Sequence, residues 1–393
     1  MTDPQPPFTN RRYLDAIADH VLIYDGAMGT NIQRYNLSAA DFGGEQYNGC
    51  NDYLVITRPD VIEAIHASFL AVGCEVIETN TFRSNRLTLA EYGLQDRVLE
   101  INRAAAQLAR RVADRFAAET GIPRYVAGSM GPSGRLPSSD DPDLSKITFD
   151  ELANVFYEQA RGLVEGGVDV LLLETSQDIL EVRAAVVGIH RYFADAGVRI
   201  PLQVQVTLDT SGRMLFGTDI ASALTTLEAL PIDVIGLNCS TGPEHMAGPV
   251  KYLTEHSTRP ISVLPNAGLP INVEGQAVYP MQPEPFAAML SEFVDWGVNV
   301  VGGCCGTTPE HLQQVILRVQ GETLARRKPA PRQPQPEVAA SSGMRAVALR
   351  QSPPPTLIGE RINSQGSRKV KRLLLEEDFD GIVQIAQQQV EAG

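Results

Sequence analysis

The stretch VVGGCCGTTPEH, residues 300–311, sets Cys304 and Cys305 side by side behind two glycines, in a chain of 393 residues with five cysteines in all. A core rarely needs such a pair, and a secreted scaffold spaces its cysteines to staple loops. The adjacency fits chance, a redox pair, a glycine-rich phosphate loop, or two ligands for a soft metal. A disulfide between neighbours would be strained, because adjacent residues do not easily reach its geometry. Cys239, in GLNCS, adds a third sulfur. Three thiolates suit zinc, which favours sulfur, takes four ligands and keeps one position open in catalytic sites. The spacing is not that of a CxxC ribbon, so the phosphate-loop alternative stays open beside the zinc site.

A zinc ion held by three thiolates, with one open position, has a specific use. An incoming thiol can take that place and stay deprotonated near neutral pH, while the electron-rich metal leaves it nucleophilic. Such a site alkylates thiols and is poorly suited to hydrolysis, where a less electron-rich metal acidifies water better. Two carboxylates could hold a substrate ammonium group: Glu174 in LLLETS and Asp25 in DGAMGT. The backbone N–H groups of Gly26, Ala27 and Met28 could cradle a carboxylate. Together these features fit an α-amino acid carrying a thiol. Simpler roles compete with them: Asp25 as a turn cap, Glu174 as the partner of a buried arginine, Glu78 as a structural residue. Cys50 and Cys74 read as packing cysteines. No histidine falls at a metal-ligand spacing; His66 is expected on a helix and His311 at the start of one, solvated or capping.

Eight short runs rich in Val, Ile and Leu must position these residues. They are VLIYDG (21–26), CEVIETN (74–80), YVAGSMG (125–131), VDVLLLET (168–175), LQVQVTL (202–208), IDVIGLNCS (232–240), ISVLPNAG (261–268) and VNVVGGCCG (298–306). Near-continuous hydrophobicity predicts strands covered on both faces, and stretches of helical period separate them. Gly166 and Gly167 predict a helix stop. Eight alternations over about 300 residues predict an α/β fold, a (β/α)8 barrel. A doubly wound open sheet is the second choice, weakened because no GxGxxG follows the first strand. Asp25, Glu78, Glu174, Cys239, Asn266, Cys304 and Cys305 all fall at C-terminal strand ends. A closed barrel brings those ends to one mouth, so residues remote in sequence become neighbours.

The formal charge of −14 gives no positive footprint for nucleic acid or an anionic membrane. No run reaches the length of a membrane helix, and MTDPQPPFTNRR is no secretory signal. Sparse cysteines fit a reducing, cytoplasmic setting. After residue 325 the composition turns to Pro, Ala, Ser and Arg. Residues 326–355 are expected as a linker: a solvated tether is the first expectation and a basic docking segment the second. Residues 356–393 are expected to give one strand, from TLIGERINSQGS, and one helix. That is too little for a core of its own, so it reads as the incomplete start of a further domain.

DGAMGTNIQ, ETNTF, LLLETSQD, GLNCSTGPEHM, PNAGLP and VGGCCGTTPEHL, in this order, resemble the homocysteine S-methyltransferase barrel over about residues 10–325. TLIGERINSQGSRKVKRLL resembles the opening of the pterin (methyltetrahydrofolate)-binding domain of the cobalamin-dependent methionine synthase family. The resemblance implies zinc on Cys239, Cys304 and Cys305, and homocysteine recognition by Asp25, Gly26, Ala27 and Glu174. It also implies an asparagine near the zinc at Asn266, and a folate-domain signature at Arg361 and Asn363. It further implies methylcobalamin as methyl donor, with 5-methyltetrahydrofolate as the original source, both bound by other domains of a longer polypeptide. Betaine- and S-methylmethionine-dependent homocysteine methyltransferases share the barrel motifs but have no need of the IGERIN segment. A zinc-free, phosphate-binding lyase or aldolase barrel would call for a strand-end lysine, and none is present. A non-enzymatic docking scaffold is the remaining alternative.

Overall fold

A computed structural model describes residues 6–273, 276–321, 325–355 and 358–391. All eight expected runs form strands: β1 Leu22–Ile23, β2 Val76–Glu78, β3 Tyr125–Met130, β4 Val170–Ser176, β5 Leu202–Val206, β6 Val234–Asn238, β7 Ile261–Leu264 and β8 Val300–Val301. They pair in parallel in the order β1-β8-β7-β6-β5-β4-β3-β2. A parallel bridge between Tyr24 and Val76 closes the ring, with Asp25 N–H donating to Val76 O at 2.9 Å. The open doubly wound sheet is thereby excluded. The strands are shorter than their apolar runs because the chain leaves the ladder early, and the released residues build the mouth.

A helix follows each strand: α1 Pro59–Val72, α2 Val98–Thr120, α3 Phe149–Gly166, α4 Ile179–Ala196, α5 Ile220–Glu228, α6 Pro243–His256, α7 Pro283–Asp295 and α8 Pro309–Gln320. Their starts are written in local chemistry. Thr148 and Glu151 make a reciprocal capping box on α3, and Asp178 accepts from Leu180 N–H on α4. The stop of α3 falls on Gly167, at φ +96°, where a left-handed residue is required. Gly166 stays helical for another reason: a Cβ there would lie 2.5 Å from that of Ala106 on α2.

Two cores result. The larger fills the ring between strands and helices; the smaller fills the barrel interior, from Leu22, Val76, Ala127, Val170, Leu172, Val234 and Val300. An N-terminal helix, Arg12–Asp19, closes the bottom by sending Tyr13, Ala16 and Ile17 into that interior core. There the Tyr13 hydroxyl donates to Gln203 Oε1 at 2.6 Å, which satisfies polar groups that would otherwise be costly to bury.

Three expectations change. His66 is neither solvated nor capping: it lies in the core on α1, fully buried, and neither ring nitrogen has a hydrogen-bond partner. Burial pushes its pKa down from 6.5 to about 4. The neutral form is favoured in the folded state, so this contribution is complete above pH 6.5 and is lost as pH falls toward 4. Replacing His66 with Leu should therefore remove on the order of 3 kcal/mol of acid-induced loss across that window. Denaturant midpoints at pH 7 and pH 4.5 would show it, and an unchanged pH slope would refute it.

The linker also departs from the tether. The first compact unit runs to Glu337 and includes Ser341–Ala346. Arg327 O accepts from Val21 N–H at 2.8 Å, and the half-buried Arg332 guanidinium donates to the carbonyls of Ser257 (2.9 Å) and Arg259 (2.6 Å). Arginine pairing with backbone carbonyls, invisible to an apolar-period reading, straps the segment to the barrel. The second unit, Val338–Ala340 with the chain from Val347, forms the expected helix, Phe379–Glu391, and an unexpected one, Arg368–Leu375. Ile358–Asn363 is not a strand. An isolated strand has no partner for its backbone groups, and pairing supplies its stability. Thr356 and Leu357, where that strand was expected to begin, lie outside the described residues.

Candidate active site at the barrel mouth

The chain turns sharply just beyond β6 and β8, and these turns deliver the cysteines. Cys239 adopts φ +58°, a left-handed conformation uncommon outside glycine, and its N–H donates to Leu264 O at 3.1 Å. Cys304 N–H donates to Pro265 O at 2.8 Å, and Ala267 N–H to Cys305 O at 2.9 Å. The end of β7 and the PNAG loop after it thus hold both cysteine-bearing turns by their backbones. The two glycines before the pair serve close approach. A Cβ at Gly302 would lie 2.5 Å from that of Tyr24, and one at Gly303 would lie 2.3 Å from Thr307 Oγ1.

The three sulfurs lie within 4.8 Å of one another, with Cys239 and Cys305 Sγ 3.9 Å apart. Four ligands around zinc at a Zn–S length of about 2.3 Å place sulfurs about 3.8 Å apart, so the donor set fits a tetrahedral thiolate site. The cysteines are free, and the redox-pair reading has no disulfide behind it. Cys305 is pushed well below the ordinary thiol range by hydrogen bonds from Cys239 and Cys304, with Tyr279 adding another. Cys304 is pushed up as donor to Cys239 and Cys305 and by burial. Thiols this close share one negative charge until a cation stabilises the others. Asn266, buried on the PNAG loop, leaves its Oδ1 without a hydrogen-bond partner among the described residues.

Beside the sulfurs opens a cavity of about 280 Å³, lined by Cys239, Cys304, Cys305, Glu174, Glu78 and, at the start of the short helix Met28–Gln33, Ala27, Met28 and Gly29, among others. Glu174 sits where β4 is irregular: the register with β5 shifts between Leu173 and Ser176, and Thr175 adopts φ +55°. Such bulges re-aim side chains beside functional sites. Ser129 Oγ donates to Glu174 Oε1 at 2.5 Å, and Asn238 Nδ2 to Glu174 Oε2 at 2.9 Å. Burial still pushes Glu174 up to about 7, against the pull of those donors. No arginine pairs with it among the described residues.

Glu78, read from sequence as structural, lies in the cavity wall, raised well above the carboxylate range by burial and by Glu174 and Asp25. Asp25 stands apart from its expected place. It is buried and accepts from Glu78 N–H at 3.1 and 3.2 Å, which caps the neighbouring strand. Burial, then Glu174, raise it well above the usual range. Asp25, Glu78 and Glu174 are thus all raised, with desolvation the largest cause in each. Gly26 has a packing role: a Cβ there would lie 2.4 Å from Thr307 Oγ1. Ser129 and Asn238 were missed as partners of Glu174. Their signal was position, each at a strand end level with Glu174.

The homocysteine S-methyltransferase family model matches residues 22–319. The chain belongs to that family. Among curated relatives, this homocysteine S-methyltransferase chain is 39% identical over 384 residues to methionine synthase of Mycobacterium leprae (strain TN), and 40% identical over 384 residues to that of Mycobacterium tuberculosis (strain ATCC 25618 / H37Rv). Both alignments take in 97% of this chain and 31% of the relative, so the chain spans about a third of the relatives' length. Its barrel also resembles the metallated form of the Escherichia coli homocysteine methyltransferase MmuM, with a TM-score of 0.62 and 21% identity over 77% of this chain and 97% of that one. That likeness supports the barrel fold. Among the described residues no helix is long and apolar enough to cross a membrane.

Proposed function

We propose that this chain is the homocysteine-binding module of a cytoplasmic methionine synthase, the N-terminal part of a longer polypeptide. One observation carries the reading: three cysteine sulfurs converge at the wall of a cavity whose adjoining wall is carboxylate-rich. Cys239, Cys304 and Cys305 would hold zinc, and the orphan Oδ1 of Asn266 is a candidate fourth donor before substrate arrives. Bound there, zinc would lower the pKa of an incoming thiol so that it remains a thiolate near neutral pH.

The chain's own residues do the rest. Glu174, steered by Ser129 and Asn238, and Glu78 bind the substrate ammonium group. Met28 and Gly29, at the start of the short helix Met28–Gln33, offer their backbone N–H groups to the substrate carboxylate. The two ends of homocysteine are thereby fixed, and its sulfur is directed toward the cysteines. The thiolate then attacks a methyl group in line: a sulfur–carbon bond forms as the bond from methyl to its donor breaks, giving methionine. The donor would be methylcobalamin, recharged from 5-methyltetrahydrofolate, both bound by parts of the polypeptide beyond this chain. The curated alignments run through the tail as well as the barrel, which favours this reading over betaine- or S-methylmethionine-dependent enzymes. A Schiff-base lyase lacks support, since no lysine lines the cavity.

Homocysteine titrated into the zinc-loaded chain should bind and release about one proton per site, read by calorimetry in buffers of different ionisation enthalpy. Equal binding by the metal-free chain would overturn the reading.

A further inference from the structure

Resting on the homocysteine reading above, we propose that Asn238 is a positioning residue that sets the Glu174 carboxylate, and through it the site's selectivity for the amino group of its thiol substrate. Asn238 closes β6, is fully buried and does not line the cavity. It acts through its neighbours.

Its amide is fully committed. Oδ1 accepts from Thr175 N–H at 2.7 Å, while Nδ2 donates to Glu174 Oε2 at 2.9 Å and to Thr175 Oγ1 at 2.8 Å. The backbone N–H partner fixes which end of the amide is oxygen, so the nitrogen must face the carboxylate. The β4–β5 ladder is interrupted at this point, and Thr175, a β-branched residue, is held at positive φ. The Asn238 side chain replaces the interrupted ladder as partner for Thr175 N–H. An orphaned N–H and a left-handed β-branched residue would otherwise favour relaxation of the bulge, and Glu174 would turn with it.

The next residue, Cys239, is itself at positive φ and sends its sulfur toward Cys305. Asn238 O accepts from Thr207 Oγ1 at 2.7 Å, which anchors the same peptide on β5's exit. One strand end thus presents a sulfur to one side and steers the carboxylate on the other. The distance between the thiol-binding and amine-binding halves of the site is set through a single dipeptide.

The test compares homocysteine with 4-mercaptobutanoate, the same thiol acid without its amino group, by calorimetry on the zinc-loaded chain. The wild-type chain should prefer homocysteine. Asn238→Ala should weaken homocysteine at least about tenfold, as expected for losing a hydrogen bond to a charged group. The 4-mercaptobutanoate affinity and the zinc content should stay unchanged. Asn238→Asp guards against a variant that merely fails to fold. It keeps the shape and the acceptor for Thr175 N–H but replaces the amide donor with a carboxyl that competes with Glu174 for one proton and one charge, so it should lose the same preference. Wild-type preference in both variants would overturn the proposal, and so would parallel loss of both ligands with the zinc. A wild-type chain that binds neither thiol would instead overturn the homocysteine reading itself.

Discussion

Replacing Cys304 with serine should leave the purified chain with little zinc and no measurable homocysteine binding at concentrations that saturate the wild type. Cys304 sits in the most constrained part of the site: its N–H is held by Pro265 O, and its carbonyl accepts from Thr307 Oγ1 at 2.6 Å. The backbone will therefore keep its course, and the substitution removes one donor without moving the other two. A hydroxyl is a poor replacement for a thiolate at a soft metal. Disturbing groups that merely orient metal ligands costs about 10–100-fold in affinity, so losing a ligand outright should cost at least about 100-fold. Elemental analysis after dialysis against a weak chelator measures it. Full zinc occupancy in Cys304→Ser would mean that the cysteines are not the ligands.

The second large effect is expected at Glu174. Glu174→Gln should keep zinc and lower homocysteine affinity by roughly 100-fold or more, because a substrate ammonium would then be buried without its counter-charge. The pH dependence follows from the position of Glu174 near 7. The carboxylate is the binding form, so wild-type affinity contains a component that is present above pH 7 and fades as pH falls through that value. Glu174→Gln should lack this component while retaining whatever dependence comes from the thiol. Affinities for homocysteine at pH 6, 7 and 8 in both chains would decide it. Identical pH profiles would show that the amino group is recognised elsewhere.

These expectations rest on features of unequal legibility. The eight strands could be read because each is a short, mostly apolar run buried on both faces, and the rule that strand ends meet at one mouth brought Cys239 to Cys304 and Cys305. The bulge at Glu174 and Thr175 could not be read, since LLLETS carries the same apolar signal whether or not the ladder slips. Nor could the division of labour among the carboxyls. Asp25 and Glu78 fall at adjacent strand ends, and only the closure of β1 on β2 decides which lines the cavity and which caps its neighbour. Asn238 was visible as a polar strand end but is defined by what it touches across the barrel. His66 and the linker misled for a common reason: residue type predicts exposure, while packing that no local pattern encodes buries His66 and ties Arg332 to the barrel's carbonyls.

The central claim is that the protein supplies three sulfurs and the substrate supplies the fourth. Zinc X-ray absorption on the metal-loaded chain, before and after saturation with homocysteine, tests it most directly. The account predicts three sulfur ligands without substrate and four with it, at a Zn–S distance of about 2.3 Å. A sulfur count that stays at three while homocysteine is demonstrably bound would contradict it.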